Sequence, residues 1–103
     1  MINSSVVLSI LVISHNQKQE LHRCLESVLH QQLHFPFEVI VSDDASSDGT
    51  WELIQDYMVE YPQVVFGYQV NSDDCKPTNT SERSGHNRAN AYRKARGKYF
   101  VHI

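Results

Sequence analysis

Uninterrupted apolar runs alternate with longer mixed segments along the chain. The run from Val6 to Ser14 is aliphatic and rich in β-branched residues, which is typical of a strand covered on both faces. Phe37 to Ser42 and Val64 to Val70 repeat this pattern, and Tyr99 to Ile103 begins another apolar run. The pattern therefore predicts four short strands.

Two of the mixed segments have the apolar spacing of helices. Gln17 to Gln32 carries apolar residues at i, i+3, i+4, i+7 and i+8, with Asn16 as the predicted N-cap. A second helix follows the turn-forming stretch Ala45 to Gly49, is capped by Ser47 or Asp48, and ends before Pro62. The predicted apolar faces are Leu21, Cys24, Leu25, Val28 and Leu29 in the first helix, and Trp51, Ile54, Tyr57, Met58 and Tyr61 in the second.

The chain between the third and fourth strands divides into a polar part and a helical part. Asn71 to Gly85 is polar and contains Pro77, which predicts a long loop of the kind that often carries function. His86 to Arg96 is predicted to form a third helix, with Gly97 as its C-cap. Its inward face should consist of Ala89, Tyr92 and Ala95.

The order of these elements determines the predicted fold class. Strands that alternate with helices build a parallel sheet through right-handed crossovers, with helices on its faces. We therefore predict an α/β fold, a three-layer α/β/α arrangement with a mainly parallel sheet of about four strands and three helices. At 103 residues, the chain should form a single domain over 1–103.

Composition and charge favour an ordinary globular protein. Apolar residues make up 41% of the chain and the formal net charge is -3. The longest apolar run is far too short to span a bilayer and no basic segment precedes it, which predicts an intracellular protein. Most of the basic residues lie between Arg83 and Lys98, a cluster that suits phosphate, an anionic membrane surface or simply a solvated helix face.

Two adjacent carboxylates, Asp43 and Asp44, follow the second predicted strand. Such neighbours repel each other, and their burial is costly without partners. Ligands of parallel sheets bind beyond the carboxyl ends of the strands, so Ser14-His15-Asn16 and the Asn71 to Gly85 loop should converge on these aspartates. One carboxylate can cap the Ser46-Ser47 turn, while the other accepts from a nucleobase N–H against which an imidazole ring can lie.

Other ligand motifs are absent or incomplete in the sequence. None of the four glycines has the spacing of a dinucleotide-binding or Walker A motif. Asp44 to Gly49 partly matches an EF-hand calcium loop, but Gln55 stands where that loop needs a bidentate glutamate. His30 and His34 have the spacing of helical zinc ligands and lack a third ligand nearby.

Four segments of the chain, in order, carry a resemblance to a known family. They are Leu8 to Asn16 (LSILVISHN), Cys24 to Gln32 (CLESVLHQQ), Phe37 to Thr50 (FEVIVSDDASSDGT) and Asn87 to Phe100 (NRANAYRKARGKYF). Together they resemble the amino-terminal half of a family 2 inverting glycosyltransferase with the GT-A fold. The resemblance implies binding of a nucleotide-diphosphate sugar, usually a UDP-sugar, whose sugar the full-length enzyme transfers to an acceptor hydroxyl.

The resemblance also implies which residues bind the nucleotide. Asp44 would accept from the base, and Ile13 and His15 would border it. The loop or helix near Arg83 to Asn87 would approach the base or the diphosphate. The family usually has proline, tyrosine, arginine and glycine at positions 13, 15, 86 and 89, where this chain departs from its pattern. The nucleotide-binding residues implied are Ile13, His15, Asp43, Asp44, Arg83 and Asn87.

The catalytic chemistry implied by the resemblance lies outside this sequence. In the family, a D-x-D motif that holds a divalent metal follows directly after a strand like Tyr99 to Ile103, and the catalytic base comes later. The resemblance thus implies Mg²⁺ or Mn²⁺ for the full-length enzyme, with neither metal ligands nor catalytic residues in this chain, which would be truncated before the motif. It further implies a cytoplasmic protein, at the inner face of the membrane, that serves cell-surface polysaccharide biosynthesis.

A non-enzymatic alternative starts from the last predicted strand. An unpaired strand edge and uncovered apolar surface favour association. The chain would then be a small α/β module that forms a homodimer or binds a partner through this open edge. In neither interpretation do we expect a nucleic-acid partner.

Overall fold

The computed structural model describes residues 6–71 and 80–103, with side chains from residue 84 onward in the second range. The described residues form one sheet of four parallel strands in the order β3-β2-β1-β4, which confirms the predicted α/β fold. The elements are β1 (Leu8–Ser14), α1 (Lys18–Leu29), β2 (Phe37–Asp44), α2 (Thr50–Glu60), β3 (Val65–Val70), α3 (Thr80–Lys94) and β4 (Tyr99–His102).

Helices cover both faces of the sheet, so alternate residues of the central strands are buried in different clusters. Ile10 and Val12 of β1 belong to the larger cluster, which also contains the apolar faces of α1 and α2. Leu11 lies on the opposite face, where it packs with Ile40 of β2 and Ala91 of α3. Burial on both faces explains the continuous apolar runs of these strands. None of the described helices is long and apolar enough to cross a membrane.

The strand order reverses around β1. The chain adds β2 and then β3 on one side of β1, and α3 returns it to the other side, where β4 pairs with β1. The carboxyl ends of β1 and β2 therefore lie next to the helix that makes this return. Such a reversal is where open parallel sheets bind their ligands.

The third helix begins earlier than the sequence predicts. Because α3 starts at Thr80, the predicted loop from Asn71 to Gly85 is wrong over its last six residues, and 72–79 lie outside the described residues. The segment from Thr80 to Gly85 is polar, contains a glycine and has no apolar periodicity, so hydrophobic spacing gives no sign of a helix.

The inward face of α3 also differs from the prediction. Asn87, Asn90 and Ala91 are buried against the sheet, whereas Tyr92 is 44% exposed. Ala95 packs against the smaller cluster as predicted. Two of the buried residues are amides that bond to polar groups of β1 and β2, and an apolar pattern cannot identify such a face.

A buried carboxylate fixes the start of β4. Glu38 is fully buried in β2 and accepts hydrogen bonds from Ser9 Oγ (2.6 Å), Arg96 N (2.7 Å) and Arg96 Nε (2.9 Å). Ser9 Oγ in turn accepts from Gly97 N at 2.8 Å. The prediction that Gly97 is the C-cap of the third helix is wrong, because α3 ends at Lys94 and Gly97 lies beyond its first two following residues.

Candidate functional site

A cleft of about 280 Å³ lies at the carboxyl ends of β1 and β2, beside α3. Its position is the one that the reversal of strand order predicts for a ligand. A cleft of this size is near the lower end of small-molecule sites. The residues that line it are Ile13, Ser14, His15, Gln17, Asp44, Ser84 and Asn87.

Asp43 has a structural role at the edge of this site. Its carboxylate is fully buried and accepts from Ser14 Oγ (2.8 Å), Ser46 N (3.2 Å) and Ser46 Oγ (2.5 Å). These bonds tie the end of β1 to the turn after β2. The prediction that one of the two carboxylates caps the turn is therefore confirmed, and Asp43 is that residue.

Asp44 faces the cleft. Successive residues of a strand point to opposite faces of the sheet, so the Asp43 and Asp44 side chains diverge and their mutual repulsion is reduced. Asp44 lies on the face that α3 covers, and only 1% of it is exposed. A strand that ends on two aspartates thus places one in the turn and the other in the wall of a cleft.

His15 is held in the cleft by the main chain of β2. Its Nδ1 atom makes a short hydrogen bond with the backbone carbonyl oxygen of Asp44. A carbonyl oxygen can only accept, so Nδ1 carries the proton. In the neutral ring, Nε2 is consequently an acceptor.

Asn87 joins α3 to the end of β1. Its Nδ2 atom donates to the backbone oxygen of Ser14 at 3.1 Å, and only 3% of the residue is exposed. Its Oδ1 atom is buried and has no hydrogen-bond partner among the described residues. A buried polar atom without a partner is costly in an apolar site, which suggests that a ligand supplies the missing donor.

Two turns next to the cleft are bonded to each other. Asn16 does not cap α1 as predicted, because it has a φ of 52° and its Oδ1 accepts from Ser47 N at 2.7 Å. The N-cap of α2 is Gly49 and not Ser47 or Asp48 as predicted, although Asp48 accepts from Thr50 N, at the start of the helix, at 3.1 Å. Its hydrogen bond with the Thr50 hydroxyl is the main cause that lowers the pKa of Asp48, and the Lys18 amide adds to it.

The structure brings four of the predicted nucleotide-binding residues together in the cleft, namely Ile13, His15, Asp44 and Asn87. Asp43 does not line the cleft. Arg83 belongs to α3, and its side chain lies outside the described residues. Gln17 and Ser84 line the cleft but were not predicted. Ser84 lies three residues before Asn87, a spacing that identifies it only once the helix is known to begin before residue 86.

The described residues do not form a metal site. Among them, no three His, Cys, Asp or Glu side chains lie close enough together to hold an ion. The Asp43 carboxylate accepts three hydrogen bonds from Ser14 and Ser46 and does not line the cleft, and Asp44 is the acidic side chain among the described residues that do. These residues therefore do not fit the divalent metal that the resemblance implies.

His102 lies at the carboxyl end of β4, outside the cleft. Its ring contacts that of Tyr92 at 4.8 Å, and its Nε2 atom is buried without a hydrogen-bond partner in the described chain. Burial and the nearby positive charge of Arg88 lower the pKa of His102. Both effects favour the neutral form of the ring.

Comparison with known proteins identifies relatives of the chain. The model of the family described as "Glycosyl transferase family 2" matches residues 9–103. Chondroitin synthase from Escherichia coli is 32% identical over 77 residues, which cover 75% of this chain and 11% of the synthase. The matched segments span between 5% and 21% of the length of the curated relatives, so this chain corresponds to a small part of each.

Solved structures show the same fold. Staphylococcus aureus TarS 1-349 in complex with UDP has a TM-score of 0.73 and 25% identity, covering 95% of this chain and 27% of TarS. A mannosyltransferase from Pyrobaculum calidifontis in complex with GDP-Man and Mn²⁺ has a TM-score of 0.67, 21% identity, and coverage of 88% and 25%. The latter likeness concerns the fold alone.

Proposed function

Because the chain belongs to glycosyl transferase family 2, we propose that it is the part of a glycosyltransferase that binds the donor nucleotide. The complete enzyme would transfer a sugar from a nucleoside diphosphate to an acceptor hydroxyl with inversion. The observation that carries the proposal is the position of Asp44, buried in the wall of a cleft at the carboxyl end of β2. His15 and Asn87 line the same cleft.

The Asp44 carboxylate can recognise a nucleobase by hydrogen bonding. An ionised carboxylate only accepts hydrogen bonds, so it favours a base that presents an N–H at its edge. Uracil has such a group at N3 and guanine at N1, whereas adenine has none there. The family resemblance favours a uridine donor, and UDP is the ligand of TarS. Ile13 supplies an apolar contact for the base, and the His15 ring offers a flat surface.

The proposal assigns binding to this chain and leaves the transfer step to other parts of the protein. A divalent metal in the complete enzyme would stabilise the diphosphate leaving group. The ligands of this metal would come after β4 in the sequence, and so would the catalytic base that deprotonates the acceptor hydroxyl. A relative that makes chondroitin supports a role in polysaccharide synthesis. We further propose that the protein works in the cytoplasm, at the inner face of the membrane.

Titration with nucleotides tests this proposal. We expect UDP or GDP to shift the backbone amide signals of His15 and Asp44 in ¹⁵N-labelled chain, because these residues line the cleft. ADP, which lacks the N–H, should shift them at least tenfold less at equal concentration. The proposal would be wrong if none of the three nucleotides moved these signals at millimolar concentration. Amides of α2, which does not line this cleft, provide the internal control.

A second candidate function is self-association through β4. Among the described residues, β4 pairs with β1 on one side and with no strand on the other. Its apolar side chains are 46–61% exposed, an unusual amount for large residues in a strand, and they are Tyr99, Phe100 and Val101, followed by Ile103. A second copy of the chain could pair its own β4 with this edge across a two-fold axis.

Sedimentation of two lysine variants tests the association. We expect the wild-type chain to dimerise with rising concentration and Val101→Lys to weaken the dimer at least tenfold, because a charge on an edge strand opposes pairing. Val59→Lys is the matched control, since Val59 is 83% exposed on α2, away from this edge. A wild-type chain that stays monomeric up to about 1 mM, far above the Kd of a stable dimer, would exclude this function.

A further inference from the structure

Hydrogen bonds fix the orientation of the Asn87 amide in the cleft. Because the Ser14 carbonyl oxygen can only accept, the Asn87 atom that contacts it at 3.1 Å must be the amide nitrogen. The amide oxygen is therefore the buried atom that has no partner in the described chain. Asn87 consequently offers the cleft an acceptor.

The same reasoning applies to two other polar side chains of the cleft, the partly buried His15 and the buried Asp44. His15 uses the proton of Nδ1 on the Asp44 carbonyl oxygen, so the neutral ring has an acceptor at Nε2. The Asp44 side chain only accepts when it is ionised. The described inner wall thus has three acceptors. Gln17, which is exposed, and Ser84, which is partly buried, can both donate and accept.

These three acceptors match the hydrogen-bonding edge of guanine better than that of uracil. Uracil presents a single N–H between two carbonyl oxygens. Its two carbonyl oxygens, which are themselves acceptors, would therefore face acceptors of the cleft. Guanine presents two neighbouring donors, N1–H and the N2 amine, which match two acceptors. Burying acceptors against each other without donors is unfavourable.

We propose that this cleft selects guanine over uracil, with Asp44 and Asn87 as the acceptors that read the N1–H and the N2 amine. The inference rests on the proposed nucleotide-binding function and changes the donor from the UDP-sugar implied by the resemblance to a GDP-sugar. Guanine O6 would then lie toward the hydroxyl of Ser84 or the amide of Gln17 at the outer part of the cleft.

Calorimetric titration of the 103-residue chain with four nucleotides tests the inference. GDP should bind at least tenfold more tightly than UDP. Both bases can donate one N–H to Asp44, but only guanine offers a second donor to the buried Asn87 oxygen, against which uracil would place a carbonyl oxygen. Inosine diphosphate keeps N1–H and lacks the N2 amine, so it should bind about tenfold more weakly than GDP. ADP should bind most weakly.

Matched asparagine variants assign the second acceptor. Asn87→Ala should bind GDP and inosine diphosphate equally, because the group that distinguishes them is gone. Asn90→Ala should keep the tenfold difference. Asn90 is also buried on α3, and its Nδ2 donates to Ser42 Oγ at 2.9 Å, but it does not line the cleft. Both variants lose a buried amide, so thermal unfolding of the pair reveals any general loss of folding.

Different results would overturn different claims. If no nucleotide binds, the proposed function fails and this inference fails with it. If UDP binds as tightly as GDP, the cleft is a nucleotide site and the inference of guanine selectivity is wrong. If wild-type chain does not distinguish GDP from inosine diphosphate, the role assigned to Asn87 is wrong, and this measurement requires no variant to fold.

Discussion

Gly97→Ala is expected to lower the free energy of unfolding by about 3 kcal/mol, the upper part of the range for overpacked sites. A Cβ atom at this position would lie 2.7 Å from both Ser9 N and Ser9 Oγ and 2.9 Å from the carbonyl carbon of Leu8. Two of these atoms belong to the backbone of β1, so no side-chain rotation relieves the overlap. The strand would have to move away from Gly97, which breaks the bond between Gly97 N and Ser9 Oγ.

Denaturant unfolding followed by far-UV circular dichroism measures this effect, with Gly85→Ala as the matched control. A Cβ atom at Gly85 would have no atom within 4 Å, and Gly85 lies inside α3. Alanine should therefore stabilise the helix by about 0.5–1 kcal/mol. Equal stability of the Gly97→Ala variant and the wild type would mean that the approach of Gly97 to β1 is looser than the structure shows.

Gly97 also shows which features of the fold a sequence can predict. The central strands are predictable because burial on both faces requires continuous apolar residues, as in β1 and β2. The role of Gly97 depends on Ser9, which is 88 residues away in the chain. Local sequence offers only the common explanation of a glycine after a helix, a C-cap, and that prediction was wrong.

The same division applies to the candidate site. His15 and Asp44 are predictable because they directly follow apolar runs, whose ends must lie at one edge of a parallel sheet. Local sequence predicts a helix cap at Asn16, but Asn16 bonds instead to Ser47, in the turn after the neighbouring strand. Ser84 is missed because the first turns of α3 are polar and carry no periodic signal.

The two adjacent aspartates should differ in what is lost when each is replaced by alanine: folding stability for Asp43 and nucleotide affinity for Asp44. Asp43→Ala removes the acceptor of three hydrogen bonds and leaves donors unsatisfied on Ser14, at the end of β1, and on Ser46, in the turn after β2. We therefore expect a loss of about 2–3 kcal/mol in stability. Asp44→Ala removes the carboxylate that faces the ligand. A hydrogen bond to a charged group contributes about 1.5–3 kcal/mol, so nucleotide affinity should fall by a factor of about 10 to 150.

Two measurements on both variants separate these effects, namely thermal unfolding and nucleotide titration. The titration is carried out at about 10 °C, where the Asp43→Ala chain is expected to remain folded. Asp43→Ala should melt well below the wild type and keep most of its affinity, because Asp43 does not line the cleft. Asp44→Ala should melt closer to the wild type and lose binding. Asp56→Ala, an exposed carboxylate on α2, should change neither property. If Asp44→Ala lost stability as severely as Asp43→Ala and kept its affinity, the two carboxylates would form one structural unit, and base recognition by Asp44 would have to be abandoned.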